Sequence, residues 1–306
     1  MRATLATDLA GITLPTPVLA AAGCLRSGRD LHGLVDLHKL GGIVTTSVTL
    51  EPRAGAPTPR IAETPSGVLY SVGMQNPGVR AFIEGELAAL LKIGVPVIAS
   101  IAGGSVEEYL KVAGTLSHVA ALAGIEVNLA ATDPGRRDAV FSERPDRAAE
   151  VAGAVARHTR LPVFAKLAAE TPDVVDVAGA CAHAGVSGVT LLSGVPGLAM
   201  SVRSARPQLG TGTGRLGGPA IKPITMRAVY EVSRALPELP IMACGGITTG
   251  TDGVEMLMAG AWAVQVGTGM LVDPAAPLEV ARGILRYQRA VGLQEPAQIR
   301  ERARGG

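Results

Sequence analysis

"LPVFAKLAAETPDVVDVAGACAHAGVSGVTLLSG", residues 161–194, decides the fold. Two short apolar runs, Pro162–Leu167 and Ser187–Leu192, flank a longer helix-patterned stretch, Pro172–His183. The runs do not alternate apolar with polar residues. They therefore suit strands buried on both faces, as in a parallel sheet. Pro162 opens its run, a position where no ladder donor is lost. A helix between two such strands is a parallel β–α–β unit.

The unit recurs along the chain. Further strand candidates are Pro17–Ala22, Gly42–Thr46, Pro96–Ile101, Ile125–Leu129, Pro240–Ala243 and Trp262–Val266. Helical patterns lie between them at Val79–Leu91, Val106–Leu122, Asp146–Arg157, Thr225–Leu236 and Thr251–Ala259. Eight strands with intervening helices predict an α/β chain folded as a (β/α)8 TIM barrel, one domain over residues 1–306. The runner-up, a doubly wound open sheet, lacks a G-x-G-x-x-G after the first strand. Leu5–Asp8 and Ile12–Leu14, around Ala10-Gly11, predict an N-terminal hairpin that closes the barrel bottom. Long loops follow the second, fourth and sixth strands, with the largest insertions at 47–76 and 193–219.

Composition narrows the function classes. The chain has 306 residues, 47% of them apolar, and a net charge of +2, which argues against a nucleic-acid surface. No run approaches the roughly 18–20 apolar residues of a membrane span. Met1 to Thr7 lacks the build of a signal peptide. Cys24, Cys181 and Cys244 are far apart and form no Cys-x-x-Cys, which excludes an evident zinc or iron–sulfur site. These features predict a cytoplasmic protein. Gln298–Arg304 reads as a solvated basic tail.

Barrel chemistry sits at the C-terminal strand ends. Those ends carry Ala21-Ala22-Gly23, Thr45-Thr46-Ser47, Ser100, Asn128, Lys166, Ser193, Cys244-Gly245-Gly246 and Gly267-Thr268. All five histidines fall elsewhere, so neither a histidine acid nor a histidine metal cluster is expected. A lysine inside a doubly buried strand is costly unless it meets an anion or strong acceptor. Lys166 then either serves a ligand or pairs with a neighbouring strand, although no other strand end offers an Asp or Glu. "CGGIT" and "VGTG" close the seventh and eighth strands, where barrels commonly bind phosphate through backbone N–H groups. A strand lysine plus a phosphate clamp fits a phosphorylated cofactor such as FMN, or a phosphosugar.

Three long motifs carry a resemblance. "GIVTTSVTLEPRAGAPTPRIAETPSGVLYSVGMQNPG" (42–78), "GRLGGPAIKPITMRAVYEV" (214–232) and "IMACGGITTGTDGVEMLMAGAWAVQVGT" (241–268) resemble class 1 dihydroorotate dehydrogenases. The similarity runs from about Leu9 to Pro274. It implies an FMN-bearing barrel, a homodimer, and a separate electron-transfer protein if electrons leave through iron–sulfur chemistry. It also implies a cofactor site built from Ala21, Ala22, Gly23, Thr46, Ser47, Ser100, Asn128, Lys166, Ser193, Gly217, Gly218, Gly245, Gly246, Gly267 and Thr268. Lys166 matches the lysine near the flavin N1–O2 edge.

The substrate side departs from the family. Its Asn-x-Ser-Cys-Pro-Asn pattern is here Asn128-Leu129-Ala130-Ala131-Thr132-Asp133, so Ala131 stands where the cysteine base would be. The second class uses serine as base, and none stands there either. The family lysine after the second strand is Thr46, and two family asparagines are Tyr70 and Ser193. Losing a positioned base costs about 10²–10⁴-fold. Losing the polar contacts a site was built for costs roughly 10⁴–10⁵-fold in discrimination. The expectation is an FMN-dependent oxidoreductase acting on a CH–CH bond next to a carbonyl, on a small carbonyl- or carboxylate-bearing substrate other than dihydroorotate. Tyr70, Lys166 and Asn128 are the expected catalytic residues, with Tyr70 as acid–base group, and no metal is expected. Asp133 is a second acid–base candidate, although Asp-Pro-Gly is also an ordinary turn. Arg215, inside the glycine motif, is expected to meet a substrate carboxylate. Arg136, Arg137, Arg144, Arg147, Arg203 and Arg206 read as solvated. The alternatives are a genuine dihydroorotate dehydrogenase with an unusual base, a catalytically silent flavin-binding subunit, and a phosphosugar barrel without flavin.

Overall fold

The structure is a computed structural model that describes residues 3–31, 33–131 and 140–304. Strands β1 (Thr7–Leu9) and β2 (Ile12–Leu14) form the N-terminal hairpin, in register from Thr7↔Leu14 to Leu9↔Ile12. Strands β3 (Val18–Ala20) and β4 (Gly42–Val44) begin the barrel. Between them the chain makes two short 3-10 turns, Arg29–Leu31 and Leu37–Lys39, in place of a full helix. An excursion carrying β5 (Ile61–Thr64) and β6 (Gly67–Tyr70) follows β4.

The alternation then becomes regular. Helix α1 (Val79–Phe82) runs through a π turn at Ile83–Leu87 into α2 (Ala88–Leu91). Next come β7 (Val97–Ile101), α3 (Val106–Leu116), β8 (Gly124–Asn128), α4 (Pro145–His158), β9 (Val163–Lys166), α5 (Val174–His183) and β10 (Gly188–Leu191). The second excursion holds β11 (Val195–Leu198), β12 (Met200–Ser201), β13 (Arg206–Pro207) and β14 (Thr213–Gly217). Helix α6 (Lys222–Ala235), β15 (Ile241–Cys244), α7 (Gly250–Met258) and β16 (Ala263–Val266) complete the barrel. Helices α8 (Thr268–Val272), α9 (Ala276–Val291) and α10 (Ala297–Arg304) follow.

The eight strands β3, β4, β7, β8, β9, β10, β15 and β16 close in that order, all parallel. The expected (β/α)8 fold is therefore observed. Its strands are buried on both faces, which is why they read as unbroken apolar runs. Inside the barrel, Leu19, Val44, Ile98, Phe164, Met242 and Ala263 form one apolar layer. Leu9, Ile12 and Leu14 of the hairpin pack onto that layer and close the bottom.

Two expectations need correction. The fourth-strand-side helix starting at Val106 stops at Leu116, earlier than Leu122, because residues 117–123 turn toward β8. The C-terminal tail is not simply solvated: α10 is helical, and Ile299 is fully buried in the main core.

The two excursions were expected as loops. They instead make one antiparallel sheet, ordered β11-β14-β6-β5. Its ladder places Arg215 opposite Tyr70 and Gly217 opposite Val68.

Candidate active site

Side chains alternate along a strand, so residues two positions beyond the apolar layer point into the same barrel interior, nearer the mouth. From Leu19, Val44, Ile98, Phe164 and Met242 this step reaches Ala21, Thr46, Ser100, Lys166 and Cys244. From the inward-facing Glu126 and Gln265 it reaches Asn128 and Gly267. These seven strand-end residues thus fall on one inward-facing layer at the barrel mouth.

Hydrogen bonds tie one side of this mouth together. Asn128 Nδ2 donates to Ser47 Oγ at 2.9 Å, and Ser47 Oγ lies 2.8 Å from Ser100 Oγ. Asn128 Oδ1 accepts from the Ala130 N–H at 3.2 Å, and its backbone oxygen accepts from Tyr109 Oη at 2.8 Å. Asn128 is accordingly fixed from three directions. Thr46 Oγ1 is buried and without a hydrogen-bond partner. A buried hydroxyl without a partner usually has one in the liganded protein.

Lys166 is nearly inaccessible, and its partner lies in the adjacent strand. Its Nζ is 3.4 Å from Glu126 Oε1, with side-chain exposures of 9% and 0%. Glu126 also accepts from Thr190 Oγ1 and Gln265 Nε2, each at 2.9 Å. This corrects the expectation that strand acids leave Lys166 unmatched: the carboxylate stands two residues inside the strand end. Burial opposes the Lys166 charge, but Cys244, Glu126 and Tyr70 outweigh it and raise its titration above the ordinary lysine range, the first and last acting only at alkaline pH where they ionise. Burial pushes the Cys244 thiol and Tyr70 phenol up, so both stay neutral at pH 7. Glu126 is left as the counter-ion.

Tyr70 is the last residue of β6, not a loop residue as expected. Its hydroxyl approaches Gly194, where an added Cβ would stand 2.7 Å away, and its ring edge approaches Gly217. Burial pushes the phenol above the ordinary tyrosine range, while Lys166 and Arg215 pull it down, and burial prevails. The phenol is held protonated despite the influence of two cations, and it forms no hydrogen bond among the described residues.

Arg215 does not await a ligand. Its Nη1 donates to Glu170 Oε2 at 2.9 Å and its Nη2 to Glu170 Oε1 at 2.6 Å. Nη1 also donates to Gly194 O at 2.9 Å and to Ser193 Oγ at 3.4 Å. The expected free guanidinium is corrected to a bidentate ion pair. Of the arginines read as solvated, Arg144, Arg147, Arg203 and Arg206 are exposed. Arg136, Arg137, Thr132 and Asp133 lie outside the described residues.

The glycine segments converge on the opposite side. Gly245 and Gly246 have φ of 128° and 75°, a region that L side chains rarely adopt. A Cβ on Gly246 would lie 2.5 Å from the Lys222 backbone. A Cβ on Gly217 would lie 2.6 Å from Thr268 Oγ1, and one on Gly267 would lie 3.4 Å from Ala21 Cβ. Gly218, Ala22 and Gly23 flank these contacts, and a Cβ on Gly23 would enter open space. The result is a cradle of bare backbone at the β15 and β16 ends. With the partnerless Thr46 hydroxyl across the mouth, it fits a phosphorylated, planar cofactor.

Ala130 packs with Val140 and Ala168 in a small buried apolar cluster, and the neighbouring Ala131 is buried too. A separate cavity of about 940 Å³ beside the 79–91 helix is lined by Gly28, Leu34, Leu37, Glu84 and Ala88. It contains none of the mouth residues.

Fold and site together define a (β/α)8 barrel with a cradle of bare backbone at its mouth and a strand-borne lysine. The chain matches the dihydroorotate dehydrogenase family over residues 4–287, and it belongs to that family. FMN is the cofactor of the family. The chain is 41% identical over 299 residues to the catalytic subunit of dihydroorotate dehydrogenase B (NAD(+)) of Pelobacter propionicus, covering 98% of each chain. The same subunit of Desulforudis audaxviator is 42% identical over 295 residues, at 96% of each chain. That of Geobacillus kaustophilus is 43% identical over 270 residues, at 88% of this chain and 86% of its own. A crystal structure of Eimeria tenella dihydroorotate dehydrogenase in complex with ferulenol superposes with a TM-score of 0.79 at 18% identity. It covers 96% of this chain and 87% of that one, and establishes likeness of fold.

Three features escaped the sequence reading. Glu126 carried a usable signal, since period-two alternation places it on the face of Asn128. Glu170 carried none, being 45 residues from Arg215. Thr225 Oγ1, fully buried beside Gly245 and also without a partner, carried none either.

Proposed function

We propose that this chain is an FMN-dependent oxidoreductase that acts on a carbon–carbon bond next to a carbonyl, in a substrate other than dihydroorotate. The observation that carries the reading is the Tyr70 phenol, paired across the sheet with Arg215, its hydroxyl at Gly194, kept neutral by burial and within the influence of Lys166. FMN, when bound, supplies the two-electron exchange. Gly217, Gly218, Gly245, Gly246, Gly267 and Thr268 would hold its phosphate end. Ala21, Ala22, Gly23, Thr46, Ser47, Ser100, Asn128 and Ser193 would line its ring. Lys166 would keep a positive charge at the ring, with Glu126 setting its strength. Tyr70 would donate or take a proton at the substrate carbon from its hydroxyl oxygen. General acid–base help of this kind contributes about 10²–10⁴-fold. Asn128, anchored by Ser47 and Tyr109, would orient the substrate.

A second reading has a specific observation behind it. Relatives at 41–43% identity are named dihydroorotate dehydrogenase B catalytic subunits. Against it, Ala131 offers no titratable group where the family keeps its base, and both Ala130 and Ala131 are buried. The relatives' names, with their mention of NAD(+) and of a catalytic subunit, support a separate electron-transfer partner for this chain. A homodimer and a cytoplasmic location belong to the same reading; no helix among the described residues is long and apolar enough to cross a membrane.

The test is an absorption spectrum of the purified protein, followed by anaerobic titration with dihydroorotate and with neutral dihydro compounds. Flavin bands that dihydroorotate leaves oxidised are the expected result. Prompt bleaching by dihydroorotate refutes the reading in favour of the second one. A colourless protein that stays colourless with added FMN refutes both.

A further inference from the structure

The mouth is charge-balanced before any substrate arrives. Two cations act on the Tyr70 hydroxyl, Lys166 and Arg215. Each is already matched by a carboxylate, Glu126 for the first and Glu170 for the second. The Arg215–Glu170 pair is bidentate and mostly buried, with side-chain exposures of 13% and 23%. The guanidinium is further occupied by Gly194 O and Ser193 Oγ. The remaining groups around Tyr70 are neutral: Ser193, which Arg215 also contacts, and the thiols of Cys24 and Cys244, which burial pushes up.

A carboxylate entering this subsite would lose its hydration and find no uncompensated cation among the described residues. It would also meet the negative charge of Glu170. A bidentate arginine–carboxylate fork is not readily shared with a second anion. A carbonyl oxygen, by contrast, needs only a donor, and the Tyr70 hydroxyl is a donor with no acceptor among the described residues.

We infer that the substrate subsite beside Tyr70 takes an uncharged carbonyl compound, such as a lactam, imide or enone ring, and rejects carboxylates. Glu170 is the specificity-determining residue, because it occupies Arg215 and adds its own charge to the mouth. The inference rests on the proposed flavoenzyme reading and narrows its substrate class.

The test uses the purified holoprotein and a matched pair of probes, orotate and its methyl ester, which differ in the charge of one group. Binding is read by calorimetry and by perturbation of the flavin spectrum, neither of which needs turnover. The wild type is expected to bind the ester at least about 10-fold more tightly than orotate. Glu170→Gln frees Arg215 and should raise orotate affinity roughly 10- to 100-fold, with little effect on the ester. The double variant Glu170→Gln/Arg215→Gln leaves no unpaired charge and should lose the gained orotate binding. It serves if the single variant fails to fold. Orotate binding more tightly than the ester in the wild type overturns the inference. So does an unchanged ratio in the variants, or absence of both probes from wild type and variants alike. Reduction of the flavin by a neutral donor, combined with tight orotate binding, would sink the subsite and leave the oxidoreductase reading standing. Selective ester binding by a protein that no donor reduces would do the reverse.

Discussion

Replacing Glu126 by Gln keeps the shape of the barrel's central network and removes one charge. The carboxylate is fully buried, 3.4 Å from Lys166 Nζ, and accepts from Thr190 and Gln265. A glutamine oxygen can still accept one of those bonds. What is lost is the only ionised partner of a buried ammonium among the described residues. Removing one member of a buried pair costs about 3–5 kcal/mol. At about 2.1 cal/mol/K per residue, a chain of 306 residues unfolds with an entropy of roughly 640 cal/mol/K. The melting temperature should therefore fall by about 5–8 °C at pH 7. The pH dependence carries a sign. In the wild type Lys166 is raised on folding, so its contribution is complete below the ordinary lysine value of about 10.4 and fades as pH climbs through the raised value. In the variant the part of that contribution due to Glu126 is gone, so less stabilisation is present below about 10.4. The gap between the two proteins should be widest near neutrality and narrow above about pH 10.4. Differential scanning fluorimetry from pH 7 to 11 measures it. A variant melting within about 1 °C of wild type at pH 7, against the expected drop, would refute the ion-pair reasoning. So would a gap that is constant across that range.

Tyr70→Phe should retain flavin and lose about 10²–10⁴-fold in kcat. Because burial raises the phenol, the wild-type rate should hold through pH 9 and fall only on the alkaline side of the ordinary tyrosine range, a limb absent from the variant. Thr46→Val removes a partnerless buried hydroxyl, so stability should hold or rise while FMN affinity drops about 2- to 10-fold, read by flavin fluorescence. Unchanged affinity would place that hydroxyl away from the cofactor. Gly246→Ala forces a Cβ to 2.5 Å from the Lys222 backbone at φ 75°; it should weaken FMN binding more than any other single-methyl change in the cradle. Burial would raise the Asp252 carboxyl, but Lys222 and the Thr248 and Thr249 N–H groups outweigh it and lower it to about 2. Its stabilising contribution is present above the ordinary value and is lost as pH falls toward 2. Asp252→Asn should accordingly flatten the stability curve between pH 4 and 2 and cost about 0.5–2 kcal/mol at pH 7 through the α7 capping box.

The barrel was legible because parallel strands buried on both faces have to be continuous apolar runs. Pro162–Leu167 became Val163–Lys166, and Ser187–Leu192 became Gly188–Leu191. The mouth layer of strand-end residues was legible for the same reason, since alternation carries a known inner residue to the next layer. Tyr70 and Arg215 were noticed as individual residues, but their juxtaposition was not. It depends on an antiparallel ladder between segments more than a hundred residues apart, and nothing local specifies that register. The Arg215–Glu170 pair has the same origin. Glu126 was overlooked because a charged residue inside an apolar run was read as part of the strand, although its face was predictable.

The sheet shared by the two excursions has a consequence for how this protein can change. A one-residue shift in either ladder exchanges the faces of every side chain along it. A deletion in 61–70 would turn Tyr70 away from the barrel and leave Arg215 with a different neighbour, and a deletion in 213–217 would do the same from the other side. The two segments therefore form a single heritable unit. New substrate preferences in this lineage can arise readily by exchanging side chains along the ladder, whereas changes of length must come in matched pairs or not at all.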